Sequence, residues 1–147
     1  MDTTAVLKRI ELTSFNNSKA LQMGLAIIDL AKKRKQVIGV EIARLNQPIF
    51  LYIDDDLPAD KNHWLKRKAN TARHFEESSL YVRYELEKKN RTLEAFFGLD
   101  EKDYVAKGGA IPLFVTGAGI IGTITVTGLP DTEDHQLIID ALQGNFF

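Results

Sequence analysis

The last third of the chain restricts its fold more than any other stretch. Gly108-Gly109 opens an apolar run over residues 110–116, Gly117-Ala118-Gly119 interrupts it, and residues 120–127 resume it with β-branched side chains. Two such runs around a glycine turn read as a β-hairpin. The same glycines spell G-x-G-x-x-G from Gly117 to Gly122. In a dinucleotide-binding unit that pattern must open a helix whose N-terminus faces the pyrophosphate. Here Thr123-Ile124-Thr125-Val126-Thr127 follows, a strand former throughout, so the hairpin wins and no dinucleotide site is expected. Gly128-Leu129-Pro130 ends the second strand. Asp131 then caps a C-terminal helix with Asp134 in its first turn and a buried stripe of Leu137, Ile138, Ala141 and Leu142.

A second hairpin is legible upstream. Ile38, Val40 and Ile42 share one strand face, and Val37, Gly39, Glu41 and Ala43 the other. Asn46-Gln47-Pro48 predicts a turn, after which Ile49, Leu51 and Ile53 alternate with Phe50 and Tyr52 until Asp54-Asp55-Asp56 and Pro58 end the run. Helical spacing predicts a short helix over residues 4–12. Another begins after Asn17 or Ser18 and runs to about residue 33, with Leu21, Gly24, Leu25, Ile28 and Ala31 as one buried stripe. A long helix spans about residues 60–77, with Trp64, Ala72 and Phe75 on its buried flank. A short one covers 92–97 and ends at Gly98. Residues 80–88 suit a capped helix or, through Tyr81-Val82-Arg83-Tyr84, a strand. Hairpins separated by helices specify an α+β fold with an antiparallel sheet of four to five strands flanked by helices, as a single domain over 1–147. Helices are expected on one sheet face, and a second subunit is a plausible cover for the other.

Composition removes whole classes of function. The 147 residues include no cysteine, which excludes thiolate metal sites, iron–sulfur clusters and cysteine nucleophiles. A net charge of −1 argues against coating nucleic acid by bulk charge. No basic leader followed by an apolar core is visible, and the apolar run at residues 25–31 contains Asp29 and is far shorter than a membrane span. A cytoplasmic protein without nucleic-acid or membrane partners is the expectation. Charge is uneven locally: residues 61–91 hold nine basic and four acidic groups, residues 92–147 two basic and eight acidic. The two regions suit mutual attraction, or solvated faces of opposite sign.

The long helix carries the most unusual polar pattern. His63, Arg67, Asn70 and His74 follow i, i+4, i+7 and i+11 and so line one face, beside Trp64, Lys68, Thr71 and Phe75. Imidazoles can ligate haem iron or another metal, and guanidinium or ammonium groups hold propionates or phosphates. The same stripe also suits a solvated face or a set of intersubunit bonds. His135, in the first turn of the last helix, is the third histidine; its position favours the neutral form, whereas the adjacent carboxylates oppose that trend. No G-x-S-x-G, H-E-x-x-H or P-loop pattern occurs, and Asp54-Asp55-Asp56-Asp60 lacks the EF-hand spacing and reads as a solvated loop.

Several motifs together carry a resemblance. Gly108-Gly109-Ala110-Ile111-Pro112, the run from Gly119 to Pro130, Asp134-His135, Trp64-Leu65-Lys66-Arg67-Lys68-Ala69-Asn70, Arg73, Phe75, Ser78, Ser79 and Tyr104 resemble the haem-degrading HbpS/GlcG-like domain family, in its branch called uncharacterised protein family 0303. The resemblance spans the chain from about Leu21 onward. It implies a profilin-like fold and a homo-oligomer, with haem or cobalamin bound by some relatives. Ala110 stands where many relatives carry a third glycine. The expected function is small-ligand binding, with haem or another tetrapyrrole or anionic metabolite as candidate, at a pocket formed by His63, Arg67, Asn70, His74, Gly108, Gly109 and His135. The alternative is a non-enzymatic assembly or adaptor protein. No catalytic residue and no resident metal are assigned.

Overall fold

Residues 9–147 are described by the structure, a computed structural model. Strand β1 (Ile10–Leu12) leads into helix α1 (Asn17–Lys33), then the hairpin β2 (Gly39–Arg44) and β3 (Gln47–Ile53). A 3-10 turn at Ala59–Lys61 precedes α2 (Asn62–Phe75), α3 (Ser79–Lys89) and α4 (Leu93–Phe97). The hairpin β4 (Ala110–Val115) and β5 (Gly119–Thr127) and helix α5 (Asp131–Leu142) complete the chain. The strands form one sheet in the order β1-β4-β5-β2-β3, antiparallel except for the parallel pair β1–β4. The fold is α+β, as the sequence specifies.

Local chemistry explains the boundaries. The Asn16 side chain accepts from Lys19 N at 2.8 Å and starts α1, while Lys32 and Lys33 lie in its last turn, where the helix dipole favours cations. The ambiguous segment at residues 80–88 is helical because it is capped at both ends. Ser78 accepts from Tyr81 N at 3.1 Å, and Asn90 ends the helix with φ 53°. In the C-terminal hairpin, Gly117 and Gly119 both adopt positive φ. Gly122 lies so close to the Ala43 carbonyl of β2 that a Cβ would overlap it. The nucleotide-like motif is therefore a turn followed by a close strand contact.

Three expectations are corrected. Residues 10–12 form an edge strand rather than the end of a helix, pairing Ile10 with Leu113 and Leu12 with Val115, because a neighbouring strand offers them a ladder; the remainder of that predicted helix, residues 4–8, lies outside the described residues. The β2–β3 turn is Leu45-Asn46 rather than Asn46–Pro48. Pro48 enters β3 opposite Ala43, where the register shifts, a place where an edge strand tolerates its missing N–H. Leu21 and Leu25, predicted inside the α1 stripe, are each 49% exposed, whereas Gly24, Ile28 and Ala31 of that stripe are buried together with Ala20, Met23 and Ile27.

Both sheet faces are covered within one chain, again unlike the one-sided expectation. On one face Val40, Ile42, Ile111, Leu113, Ile124 and Val126 meet α1 and α5 in the main aliphatic core. Burial of this size is the principal stabilising term of such a fold, at about 25 cal/mol per Å². On the other face the strands present Ala43, Ala110, Thr123 and Thr125, short side chains that let α2 and α3 approach. Arg73 Nη1 donates to Thr123 Oγ1 at 3.1 Å, and Ser79 Oγ accepts from Ala110 N at 3.0 Å. No helix among the described residues is long and apolar enough to cross a membrane.

Candidate functional site

Helix α2 places two adjacent cations in opposite situations. Lys68 turns toward the sheet and is 2% exposed. Its Nζ donates to Val126 O at 2.7 Å, to Asp134 Oδ2 at 3.0 Å and to Gly108 O at 3.1 Å. Carbonyl oxygens can only accept, so three acceptors around one nitrogen define an ammonium. Asp134, also 2% exposed, accepts from Leu129 N at 3.0 Å through Oδ1. Burial pushes the Asp134 carboxyl up to about 6 against the pull of Lys68, and burial pushes the Lys68 ammonium down against the pull of Asp134. The pair ties α2, β5, the 108–109 loop and α5 together with every donor and acceptor used.

The glycine pair belongs to this knot. Gly109 has φ 125°, and a Cβ there would lie 2.7 Å from Lys68 Nζ and 2.5 Å from Val126 O. Gly108 N donates to Asp131 Oδ2 at 2.8 Å, and Arg83 Nη1 donates to both Asp131 oxygens at 2.7 and 2.8 Å. Burial would raise the Asp131 carboxyl, but the Gly108 and Arg83 bonds outweigh it and hold it below its usual range. Asp131 is thus a strut between α3, the loop and α5 rather than a simple helix cap.

Arg67 faces the other way. Its guanidinium lies over the Trp64 ring at 4.9 Å, and its buried Nε has no hydrogen-bond partner among the described residues. It lines an open cavity of about 440 Å³. Arg83, Arg91 and Lys107 add positive charge there, Glu87, Glu94 and Glu101 add acids on the rim, and Leu86, Leu93, Leu99 and Tyr104 form apolar wall. A smaller cavity of about 190 Å³ lies behind Trp64, between Lys61, Lys107 and Asp131, above the Lys68–Asp134 pair. Lys107 borders both.

The seven residues predicted for one pocket are distributed over these regions. Arg67 lines the large cavity, and Gly108 and Gly109 build the Lys68–Asp134 knot. Asn70 donates to Asp103 O at 2.9 Å and accepts from Arg73 Nη2 at 2.7 Å, which fixes the loop before β4 to α2. His63 and His74 are exposed, and the His74 ring meets Phe75 and Tyr104 edge to face at 4.9 and 5.8 Å. His135 is 3% exposed with Nδ1 unpartnered among the described residues, and burial pushes it down to about 4, so it is neutral. None of the three histidines lines either cavity. Among the described residues no group of three or more His, Asp or Glu side chains is placed to hold a metal. Asp54 instead closes the first hairpin, accepting from Ile38 N at 2.8 Å and Tyr52 Oη at 3.2 Å.

Sequence reasoning missed Arg83, Arg91 and Lys107 as cavity residues. The basic excess of residues 61–91 contains two of them and was the available signal. What periodicity could not show is that α3, α4 and the loop before β4 fold round one opening.

Comparison with known proteins agrees with this architecture. The haem degrading protein HbpS-like family matches residues 15–143. A UPF0303 protein of Zymomonas mobilis subsp. mobilis is 41% identical over 135 residues, 92% of this chain and 73% of its own length. One from Paraburkholderia phymatum is 39% identical over 128 residues, 87% of this chain and 78% of its own. Among solved structures, Ybr137w superposes with a TM-score of 0.84 at 26% identity, covering 94% of this chain and 82% of that one. HbpS gives 0.71 at 20%, covering 92% of each. A PduOC:heme complex gives 0.74 at 16%, covering 88% and 96%. The chain belongs to the HbpS-like family.

Proposed function

We propose that this HbpS-like chain is a cytoplasmic, self-associating protein that binds an amphipathic organic anion in the Arg67 cavity, with haem as the first candidate. The observation that carries this reading is the placement of Arg67, its guanidinium over the Trp64 ring, on the wall of an open, mixed cationic and apolar cavity. A guanidinium held over an indole is ordered before a ligand arrives, so less freedom is lost on binding. The cavity volume lies in the range of small-molecule sites. Guanidinium and ammonium groups from α2, α3 and the loop before β4 suit carboxylates, and the leucine wall suits a flat hydrocarbon surface.

Haem meets those requirements through its propionates and its ring, and family membership supports it. Arg67, Arg91 and Lys107 would hold the carboxylates, and the leucines the macrocycle. Tyr104 offers a phenolic oxygen as the iron ligand, since no histidine lines the cavity. Bound haem would supply iron redox chemistry; the protein's own part is to bind, orient and shield it. The adaptor reading loses Asn70 from the polar stripe, because its amide bonds within the chain to Asp103 O and Arg73 Nη2.

Titration with haemin, followed by visible absorption, tests the reading. Saturable binding is expected, weakened at least tenfold in Arg67→Ala and spectrally altered in Tyr104→Phe, with His74→Ala unchanged. No saturable change, or identical curves for wild type and Arg67→Ala, would remove haem from this cavity. Titration of a non-iron porphyrin dicarboxylate then separates anion recognition from iron ligation.

A further inference from the structure

The end of β5 remote from the Lys68–Asp134 pair borders a cavity that the haem reading does not use. It measures about 420 Å³ and is lined by Leu45, Asn46, Arg73, Ile120, Ile121 and Gly122. A volume of that order suits a small molecule. The wall is mainly apolar. Leu45, in the β2–β3 turn, has φ 55°, a left-handed conformation uncommon for leucine, and is 62% exposed. Its N–H donates to Ile121 O at 2.8 Å, which fixes the turn against β5. Ile120 and Ile121 continue the wall, and Asn46 adds a neutral amide. Among these lining residues Arg73 alone is charged.

Arg73 is half-buried and held in place, yet no contact meets its charge. Nη1 donates to Thr123 Oγ1 at 3.1 Å and to Leu45 O at 3.4 Å, and Nη2 donates to Asn70 Oδ1 at 2.7 Å. All three acceptors are neutral oxygens. Arg34 and Arg83, by contrast, each touch a carboxylate, Asp140 at 2.8 Å and Asp131 at 2.7 Å. Glu41 acts on Arg73 through space, without a hydrogen bond between them, and does not line the cavity. A guanidinium has five N–H groups. Two of those on Arg73 have no acceptor among the described residues. Carboxylate is the acceptor that fits such a group best, in bonds roughly twice as strong as neutral ones.

We infer that this cavity is a second ligand site, which takes an apolar monocarboxylate: the carboxylate bonds Arg73, and the hydrocarbon body lies against Leu45, Ile120 and Ile121. One guanidinium without a second cation matches a single negative charge, so phosphate esters and dicarboxylates are poorer fits. The apolar wall sets the other half of the specificity, because a bare small anion leaves it uncovered. The three bonds on Arg73 order the guanidinium before a ligand arrives, so less freedom is lost on binding. No lining residue is shared with the Arg67 cavity, so this site stands or falls apart from the haem reading.

Phenylacetate is the probe, titrated to millimolar concentration and followed through backbone amide shifts in a proton–nitrogen correlation spectrum. Saturable shifts are expected at Leu45, Asn46, Ile120, Ile121 and Gly122. Phenylacetamide keeps the body without the charge, and acetate keeps the charge without the body; each should bind at least tenfold more weakly. A folded Arg73→Gln variant should lose phenylacetate affinity by a similar factor. If that variant fails to fold, Asn46→Asp decides. It sets a like charge beside the site on an exposed turn, and should weaken phenylacetate severalfold while leaving phenylacetamide unaffected. Four results would each overturn the proposal: no saturable shift at these five residues, shifts confined to Leu93 and Leu99 of the Arg67 cavity, phenylacetamide binding as tightly as phenylacetate, or unchanged phenylacetate affinity in the variant that folds.

Discussion

Lys68 and Arg67 are neighbours on one helix and do opposite work. Lys68 is sealed among three acceptors, with the carboxylate of Asp134 as one of them. Arg67 lies over Trp64 on the wall of an open cavity. A saturated buried charge holds elements in register but has nothing left to offer a ligand; an unsaturated one at an opening contributes little to the fold and is available for recognition. The comparison separates the residues that build this fold from those that give it something to do.

The largest effect should come from breaking the sealed member. Lys68→Met leaves Asp134 buried without its cation and should cost about 3–5 kcal/mol in urea unfolding. Replacing both as Lys68→Met/Asp134→Leu should recover a good part of that loss, since no isolated charge remains. A double variant as unstable as the single one would show that the bonds to Gly108 and Val126, rather than the ion pair, dominate.

Acid should act next to the same knot through His135. Its folded value of about 4 lies below the ordinary 6.5, so the unfolded chain takes up a proton first as pH falls. Its contribution is complete above pH 6.5 and is lost progressively toward pH 4, amounting to about 3 kcal/mol at 1.36 kcal/mol per pH unit. Asp134, raised by burial, works in the opposite direction over part of that range. The difference between wild type and His135→Gln isolates the histidine: the variant's stability should fall less on acidification. Parallel pH profiles would place a compensating partner on His135.

Gly109→Ala should cost about 1–3 kcal/mol, because φ 125° suits few side chains and the new methyl meets Lys68 Nζ and the Val126 carbonyl. Smallest in stability is Arg67→Ala, at about 0.5 kcal/mol or less in unfolding, with its whole consequence in haemin affinity. If Arg67→Ala unfolds the protein as readily as Lys68→Met does, the distinction between the two cations fails.

The strands were legible wherever side-chain period and turn chemistry agreed, as in residues 119–127 and 39–44. Residues 10–12 were not, because three residues carry no period and their strand state depends on a partner about a hundred positions away. Leu21 and Leu25 obeyed the helical period but not the burial of a single chain, and periodicity alone cannot say whose surface covers a stripe. Arg67 stood out in its stripe on α2, and the fold sets it on a cavity wall. The sealing of Lys68 was not, since it needs carbonyls from Gly108 and Val126 that only the closed sheet brings together. His135 carried a correct expectation of neutrality through burial rather than through the helix terminus.

The parallel pairing of β1 with β4 bears on how the chain reaches this state. Ile10 lies beside Leu113, so the first of the described strands has no ladder to join until the C-terminal hairpin has been made. Closing so large a loop comes late and gains little until both sides are in place. Docking of this strand therefore belongs after the rate-limiting barrier, where shortening Ile10 quickens unfolding and leaves the speed of refolding nearly untouched.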